Sequence, residues 1–163
     1  MRMTGETSVD GVAELARRTA EALAGRPLAC AESCTAGRVS ASLAGVGGAS
    51  EWLRGGLVAY QAETKRSLLH VTAPSVFSEQ AATEMVRGAA DLFGARVAVA
   101  TTGVIGDDPE EGLPPGTLMI GTMVDGDIQV LTRHLGGRNP EERCQTAVGA
   151  ALSALLDHLA SRS

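Results

Sequence analysis

The sequence predicts an α/β fold: a single domain with a mixed, mostly parallel sheet of five strands between helices. Three observations carry this. Short apolar runs at 28–31, 55–60 and 96–102 alternate with segments of helical periodicity, the pattern of strand-helix-strand units with parallel crossovers. Runs at 117–124 and 128–135 flank Asp125-Gly126, a strong hairpin signal, so at least one strand is antiparallel. A chain of 163 residues is long enough for one full core and too short for two ordinary domains. No linker, repeat or low-complexity segment divides it, so residues 1–163 form one unit, with 1–7 expected as a flexible tail.

In order, Val12, Leu15, Ala16, Thr19 and Leu23 share one helical face, and Gly25 with Pro27 ends that helix. Residues 28–31 form a strand apolar enough to be covered on both faces. A helix over 35–44 turns Val39 and Leu43 inward and closes at Gly45. Its small residues between Ala36 and Ala44 permit close approach to the sheet or to a second copy, so a homo-oligomer is expected. A glycine-rich loop over 45–50 leads to the strand 55–60 and the short helix 62–69. Ser78 caps a helix running to Phe93, with Ala82, Met85, Val86, Ala89 and Leu92 inward and Gly94 at its end. After the strand 96–102, the loop 103–116 is rich in Gly, Pro and acids, which in a compact domain signals a binding loop. Asn139-Pro140-Glu141-Glu142 opens the last helix with a cap and a first-position proline. Cys144, Val148, Ala151, Leu152, Leu155 and Leu159 give that helix its apolar stripe.

Composition narrows the function. A net charge of -5 gives no electrostatic footprint for nucleic acid or an anionic membrane, and aromatics at 2% supply no stacking platform. No apolar run approaches a membrane span, and the opening residues lack a signal peptide's apolar segment, so a cytoplasmic location is expected. Cys30, Cys34 and Cys144 are odd in number and in no zinc-like spacing, so reduced thiols are the default. The acids at 107–111 form no metal-ligand pattern, and neither metal nor cofactor is expected.

The chemistry-bearing residues gather where parallel strands end, the place at which open α/β sheets bind ligands. Glu32, Ser33 and Thr35 follow the first strand, Tyr60 ends the second, and Thr102 with Gly103 ends the third. Ser33 or Thr35 also fits a plain helix cap. Lys65 lies one helical turn beyond Tyr60. Serine with lysine makes a nucleophile without histidine: a neutral lysine takes the hydroxyl proton and the oxygen attacks a carbonyl. The lysine must then lose about three pKa units, through burial or a cationic neighbour such as Arg138 or Arg143. Cys34 is an alternative nucleophile, with no histidine placed for it. Arg138 and Arg143 flank the start of the last helix, where an anion is favoured.

The blocks AESCTAG, GGLVAYQAETKRSLLHV, AVATTGVIG, GTLMIGTM and LGGRNPEERCQTAVGAAL resemble, in order and spacing, the CinA C-terminal-domain family. That family includes stand-alone nicotinamide-nucleotide amidohydrolases. The resemblance implies an α/β/α sandwich and, without metal, hydrolysis of nicotinamide mononucleotide to nicotinate mononucleotide and ammonia, a step of pyridine nucleotide salvage. It matches Ser33 to the nucleophile, Lys65 to the general base, and Ser50, Tyr60 and Thr102 to polar residues lining the site. Arg143 or Arg138 matches an arginine near the chain's end. The chain departs from the family pattern at Ala36-Gly37, where two glycines are usual, at Gln61, and in its acid-rich loop 103–116. That loop supports an alternative: a catalytically weak relative that binds a nucleotide or a protein partner.

Overall fold

The computed structural model describes residues 9–163, and the expected tail at 1–7 lies outside the described residues. Among the described residues five α-helices surround one five-stranded sheet in the order β2-β1-β3-β4-β5. β1 (Leu28–Glu32) pairs in parallel with β2 (Leu53–Val58) on one side and β3 (Val97–Gly103) on the other. β4 (Thr117–Val124) runs antiparallel to both β3 and β5 (Asp127–His134). The sheet is thus mixed and parallel around β1, with β4 alone reversed. Among the described residues no helix is long and apolar enough to cross a membrane.

Alternation along the central strands decides which helix packs where. In β1, Leu28 and Cys30 face one side while Ala29 and Ala31 face the other; in β3, Val97 and Val99 oppose Ala98 and Ala100. The larger side chains meet α1 (Val9–Leu23), α2 (Arg38–Ala44) and α5 (Pro140–Ser161), through Leu23, Val39, Leu43, Leu152 and Leu155. The alanine face meets α3 (Ala62–Leu69) and α4 (Glu79–Phe93). Small sheet residues let α4 lie close. A Cβ on Gly121 of β4 would stand 2.5 Å from the Ala82 carbonyl oxygen, and one on Gly88 of α4 would stand 2.5 Å from that of Leu69.

The expected α4 face is buried at Ala82, Met85, Val86 and Ala89, whereas Leu92, the penultimate residue of the helix, is 53% exposed and does not join it. Ser78 caps α4 by accepting from Ala81 N–H, and Asn139 caps α5 by accepting from Glu142 N–H. The second strand sits two residues earlier than the sequence suggests, which leaves Tyr60 in the connection beyond it.

The junction after β1 departs most. The helix expected from residue 35 starts at Arg38, because Ala36 and Gly37 take left-handed φ values of 49° and 91°, which no α-helix continues through. Neither Ser33 nor Thr35 caps it. Glu32, read from sequence as a ligand-binding residue, does so from the strand: its carboxylate accepts from Val39 N–H at 2.8 Å, Ser40 N–H at 3.0 Å, Ser40 Oγ at 2.6 Å and Thr35 Oγ1 at 2.6 Å. The side chain is 1% exposed, so those bonds replace its lost hydration. Thr35, also read as ligand-binding, is fully buried, with its Oγ1 2.8 Å from Thr101 Oγ1. The hydroxyl and carboxylate expected at the ligand are spent on the turn.

Two substitutions test this packing. Gly121→Ala is expected to lower unfolding free energy by about 1–3 kcal/mol, because the methyl must push α4 off the sheet; an unchanged urea midpoint would contradict that close approach. Glu32→Ala strands Val39 and Ser40 N–H groups and is expected to cost about 3 kcal/mol. A loss below about 0.5 kcal/mol in the same assay would deny Glu32 its capping role.

Candidate active site

Parallel pairing of β2, β1 and β3 brings their C-terminal ends to one edge of the sheet. Ser33 follows β1 directly, and its N–H donates to the Thr101 carbonyl of β3 at 3.0 Å, which fixes the residue between the two neighbouring strands. Its side chain is at the surface of the core, 5% exposed, with Oγ 3.5 Å from the Tyr60 carbonyl oxygen. Lys65, in the first turn and a half of α3, is 1% exposed and donates from Nζ to that same carbonyl oxygen at 2.8 Å. Hydroxyl and amine therefore converge on one main-chain acceptor. Tyr60 reaches the site through its backbone; its phenol ring is 66% exposed.

Burial, rather than a cationic neighbour, brings Lys65 into a useful range. Desolvation pushes its pKa from 10.5 down to about 8, opposed by the Cys34 thiol and the Glu110 carboxylate. No arginine contributes. Burial pushes the Cys34 thiol up to about 12, which keeps it protonated at neutral pH and makes it a poor nucleophile beside Ser33. Cys144 Sγ donates to the Cys34 carbonyl at 3.5 Å and receives the Arg38 guanidinium at 3.0 Å, so α5 braces the back of the Ser33 turn.

The other expected site residues divide sharply. Thr102 is fully buried and donates from Oγ1 to the Val76 carbonyl at 2.7 Å, tying the α3–α4 connection to the edge. Gly103 admits the neighbouring strand: a Cβ there would stand 2.3 Å from the Thr117 carbonyl oxygen. Ser50 lies in a 3-10 turn (Ala49–Glu51) before β2, at the opposite end of the sheet, where the Trp52 carbonyl accepts from Leu28 N–H at 2.8 Å. The structure does not bring Ser50 to Ser33.

Of the two arginines, Arg143 belongs to this edge. Its Nη1 donates to the carbonyls of Ile105 and Gly106, each at 3.0 Å, and pairs with Asp107 at 2.9 Å, at the base of the loop leaving β3. Arg138 is 88% exposed at the side chain and pairs with Glu142 at 2.7 Å. Farther out, Glu110 and Leu113 exchange backbone bonds of 3.1 and 2.8 Å, and Glu111 accepts from the Ser75 hydroxyl. Among the described residues no three His, Cys, Asp or Glu side chains cluster as a metal site. A groove of about 240 Å³ between α1, α2 and α5 is lined by Val12, Arg38, Ala41, Ser42, Glu141, Gln145 and Val148.

Comparison with known proteins shows the family. The family model for the CinA C-terminal domain matches residues 12–159. A CinA-like protein of Mycolicibacterium vanbaalenii is 40% identical over 143 residues, covering 82% of this chain and 33% of that protein. One from Frankia casuarinae is 40% identical over 133 residues, covering 78% and 30%. The chain thus spans about a third of the length of the curated relatives it matches. Among solved structures, a CinA superfamily protein from Klebsiella pneumoniae superposes with a TM-score of 0.87 at 34% identity, over 92% of this chain and 98% of that one. One from Escherichia coli gives 0.86 at 27% identity, over 97% and 99%. The family match across nearly the whole chain, on the same fold, establishes that this chain belongs to the CinA C-terminal domain family.

Proposed function

We propose that this domain is an amidohydrolase that converts nicotinamide mononucleotide to nicotinate mononucleotide and ammonia by serine-lysine chemistry. The observation that carries the proposal is the convergence of Ser33 Oγ and Lys65 Nζ on the Tyr60 carbonyl, with burial drawing the lysine to about 8. At pH 7 about a tenth of such a lysine is neutral, enough to serve as a base.

Neutral Lys65 takes the Ser33 proton as Oγ attacks the carboxamide carbon, and the carbonyl oxygen gains the negative charge. The first helical N–H groups cannot hold that oxyanion, because Val39 and Ser40 already donate to Glu32. Its donors are the backbone N–H groups of Cys34, Thr35 and Gly37, which lie nearer Ser33, since Ala36 N–H already donates to the Ser33 carbonyl at 3.0 Å. Lys65 then passes its proton to the departing ammonia, and water attacks the acyl-serine to release the acid and restore the hydroxyl. Arg143, at the mouth of the edge, is the arginine for the phosphate.

The reading as a binding module without turnover rests on the acids of the loop. Asp107 weakens that reading, since its carboxylate is held by Arg143. A partner-binding role leaves the burial of Lys65 beside a serine unexplained.

The purified protein is expected to release ammonia from nicotinamide mononucleotide, and Ser33→Ala or Lys65→Met each to lower kcat about a thousandfold while the far-ultraviolet spectrum stays native. Absence of ammonia from the wild-type protein at millimolar substrate would overturn the assignment. The pH dependence has a definite sign. The active lysine is the neutral one, so kcat/KM is expected to rise with pH and level off above about 8. A profile flat from pH 6 to pH 9, or falling over that interval, would contradict a general-base lysine.

A further inference from the structure

The loop leaving β3 is anchored by an arginine nitrogen that has more acceptors than hydrogens to give them. Arg143 Nη1 donates to the carbonyls of Ile105 and Gly106, each at 3.0 Å, and to Asp107 Oδ1 at 2.9 Å. A terminal guanidinium nitrogen carries two hydrogens, so the carbonyls alone would use them. They hold the main chain, and the carboxylate is the surplus acceptor. Asp107 adds charge more than support.

The pair sits against the serine turn. The chain leaving Thr101, whose carbonyl accepts from Ser33 N–H at 3.0 Å, reaches Arg143 at Ile105. Cys144, next to Arg143 on α5, donates from Sγ to the Cys34 carbonyl at 3.5 Å. The Arg143 side chain is 12% exposed, against 46% for Arg38 on Glu141 and 88% for Arg138 on Glu142, so its charge is the least screened of the three. Each of these arginines already carries an acid of this chain. Asp107 is itself 68% exposed and has solvent to swing into.

We propose that Asp107 is a specificity-determining residue: an internal anion seated on Arg143 that the phosphate of a carboxamide nucleotide must dislodge or crowd, which lowers the domain's preference for the nucleotide over the corresponding nucleoside. This rests on the amidohydrolase reading, in which Arg143 meets the phosphate. A phosphate monoester carries a charge of about -1.5 to -2 at pH 7, and a carboxylate on the same guanidinium repels it. When Asp107 leaves, the Ile105 and Gly106 carbonyls keep the loop on Arg143. Holding the loop and opposing the phosphate are therefore separable. Asparagine at position 107 keeps an acceptor for Nη1 and removes the charge.

Nicotinamide mononucleotide and nicotinamide riboside share the ring and the amide and differ by the phosphate. Their affinities are measured by calorimetry on Ser33→Ala, which does not turn substrate over, and on the same background with Asp107→Asn or Asp108→Asn. Asp108 is the matched control, an exposed acid one residue on that forms no ion pair among the described residues. Asp107→Asn is expected to tighten the nucleotide about fivefold, the range of an exposed ion pair, and to leave the riboside within about twofold. Asp108→Asn is expected to leave both within about twofold. Equal tightening by Asp108→Asn would make the effect one of bulk charge, weakening of both ligands by Asp107→Asn would make Asp107 a structural fastening, and no change in the nucleotide would leave it outside recognition; each overturns the proposal. Ammonia release by the wild-type protein separates the two claims. A nucleotide-selective gain without ammonia sinks the amidase reading alone, ammonia without the gain sinks the Asp107 proposal alone, and failure of both ligands to bind, with no ammonia, sinks both.

Discussion

The structure depends on one buried amine. Lys65 is 1% exposed and spends its Nζ on a single neutral carbonyl, that of Tyr60, at 2.8 Å. Lysine is almost never fully buried without an anionic partner, since an ammonium loses several kcal/mol of hydration that one carbonyl does not return. The chain resolves this by favouring the uncharged form, and that preference is the fall in pKa to about 8. In the proposed reaction, the burial that disfavours the charged amine is also what gives it a neutral fraction. A salt bridge at Lys65 would make the fold more comfortable and the amine useless as a base.

The neighbouring turn follows the complementary logic. A serine at a strand-to-helix junction is usually consumed as a cap. In this chain Glu32 reaches forward from β1 and takes the cap duty, with Thr35 and Ser40 completing its bonds. That leaves the Ser33 hydroxyl with only a 3.5 Å contact to the Tyr60 carbonyl. The same substitution of roles commits the N–H groups of Val39 and Ser40 at the helix start to Glu32. The start of α2 is stabilised by Glu32 from β1, and the serine hydroxyl is left without a capping role.

Much of this was legible in residue order. The alternation Leu-Ala-Cys-Ala in β1 and Val-Ala-Val-Ala in β3 encodes the two faces, and the bounds of α3 and β4 are where periodicity and hairpin chemistry put them. The hidden parts are non-local. Nothing in the local pattern says that Ala36 adopts a left-handed φ and delays α2, or that a carboxylate at position 32 will face a helix start at 39 and 40. Tyr60 is a candidate by its place at the strand end, whereas its carbonyl is the contact, and no side-chain pattern records a carbonyl's direction. Ser50 was grouped with the site by resemblance alone, and chain direction in β2 puts it at the far end. Arg143 and Arg138 are equivalent on paper; only the fold shows that one meets the loop from β3 and the other the surface.

The central claim is that burial lowers the Lys65 pKa to about 8, which leaves a usable neutral fraction near physiological pH, and the most direct check reads that amine itself. Lys65 is the chain's only lysine, so with lysine labelled at the terminal carbon its chemical shift is followed alone through a pH titration. The expected midpoint in the absence of substrate is near 8. A midpoint at the ordinary value of 10.5 would mean that the amine stays charged through neutral pH, and the serine would have no base.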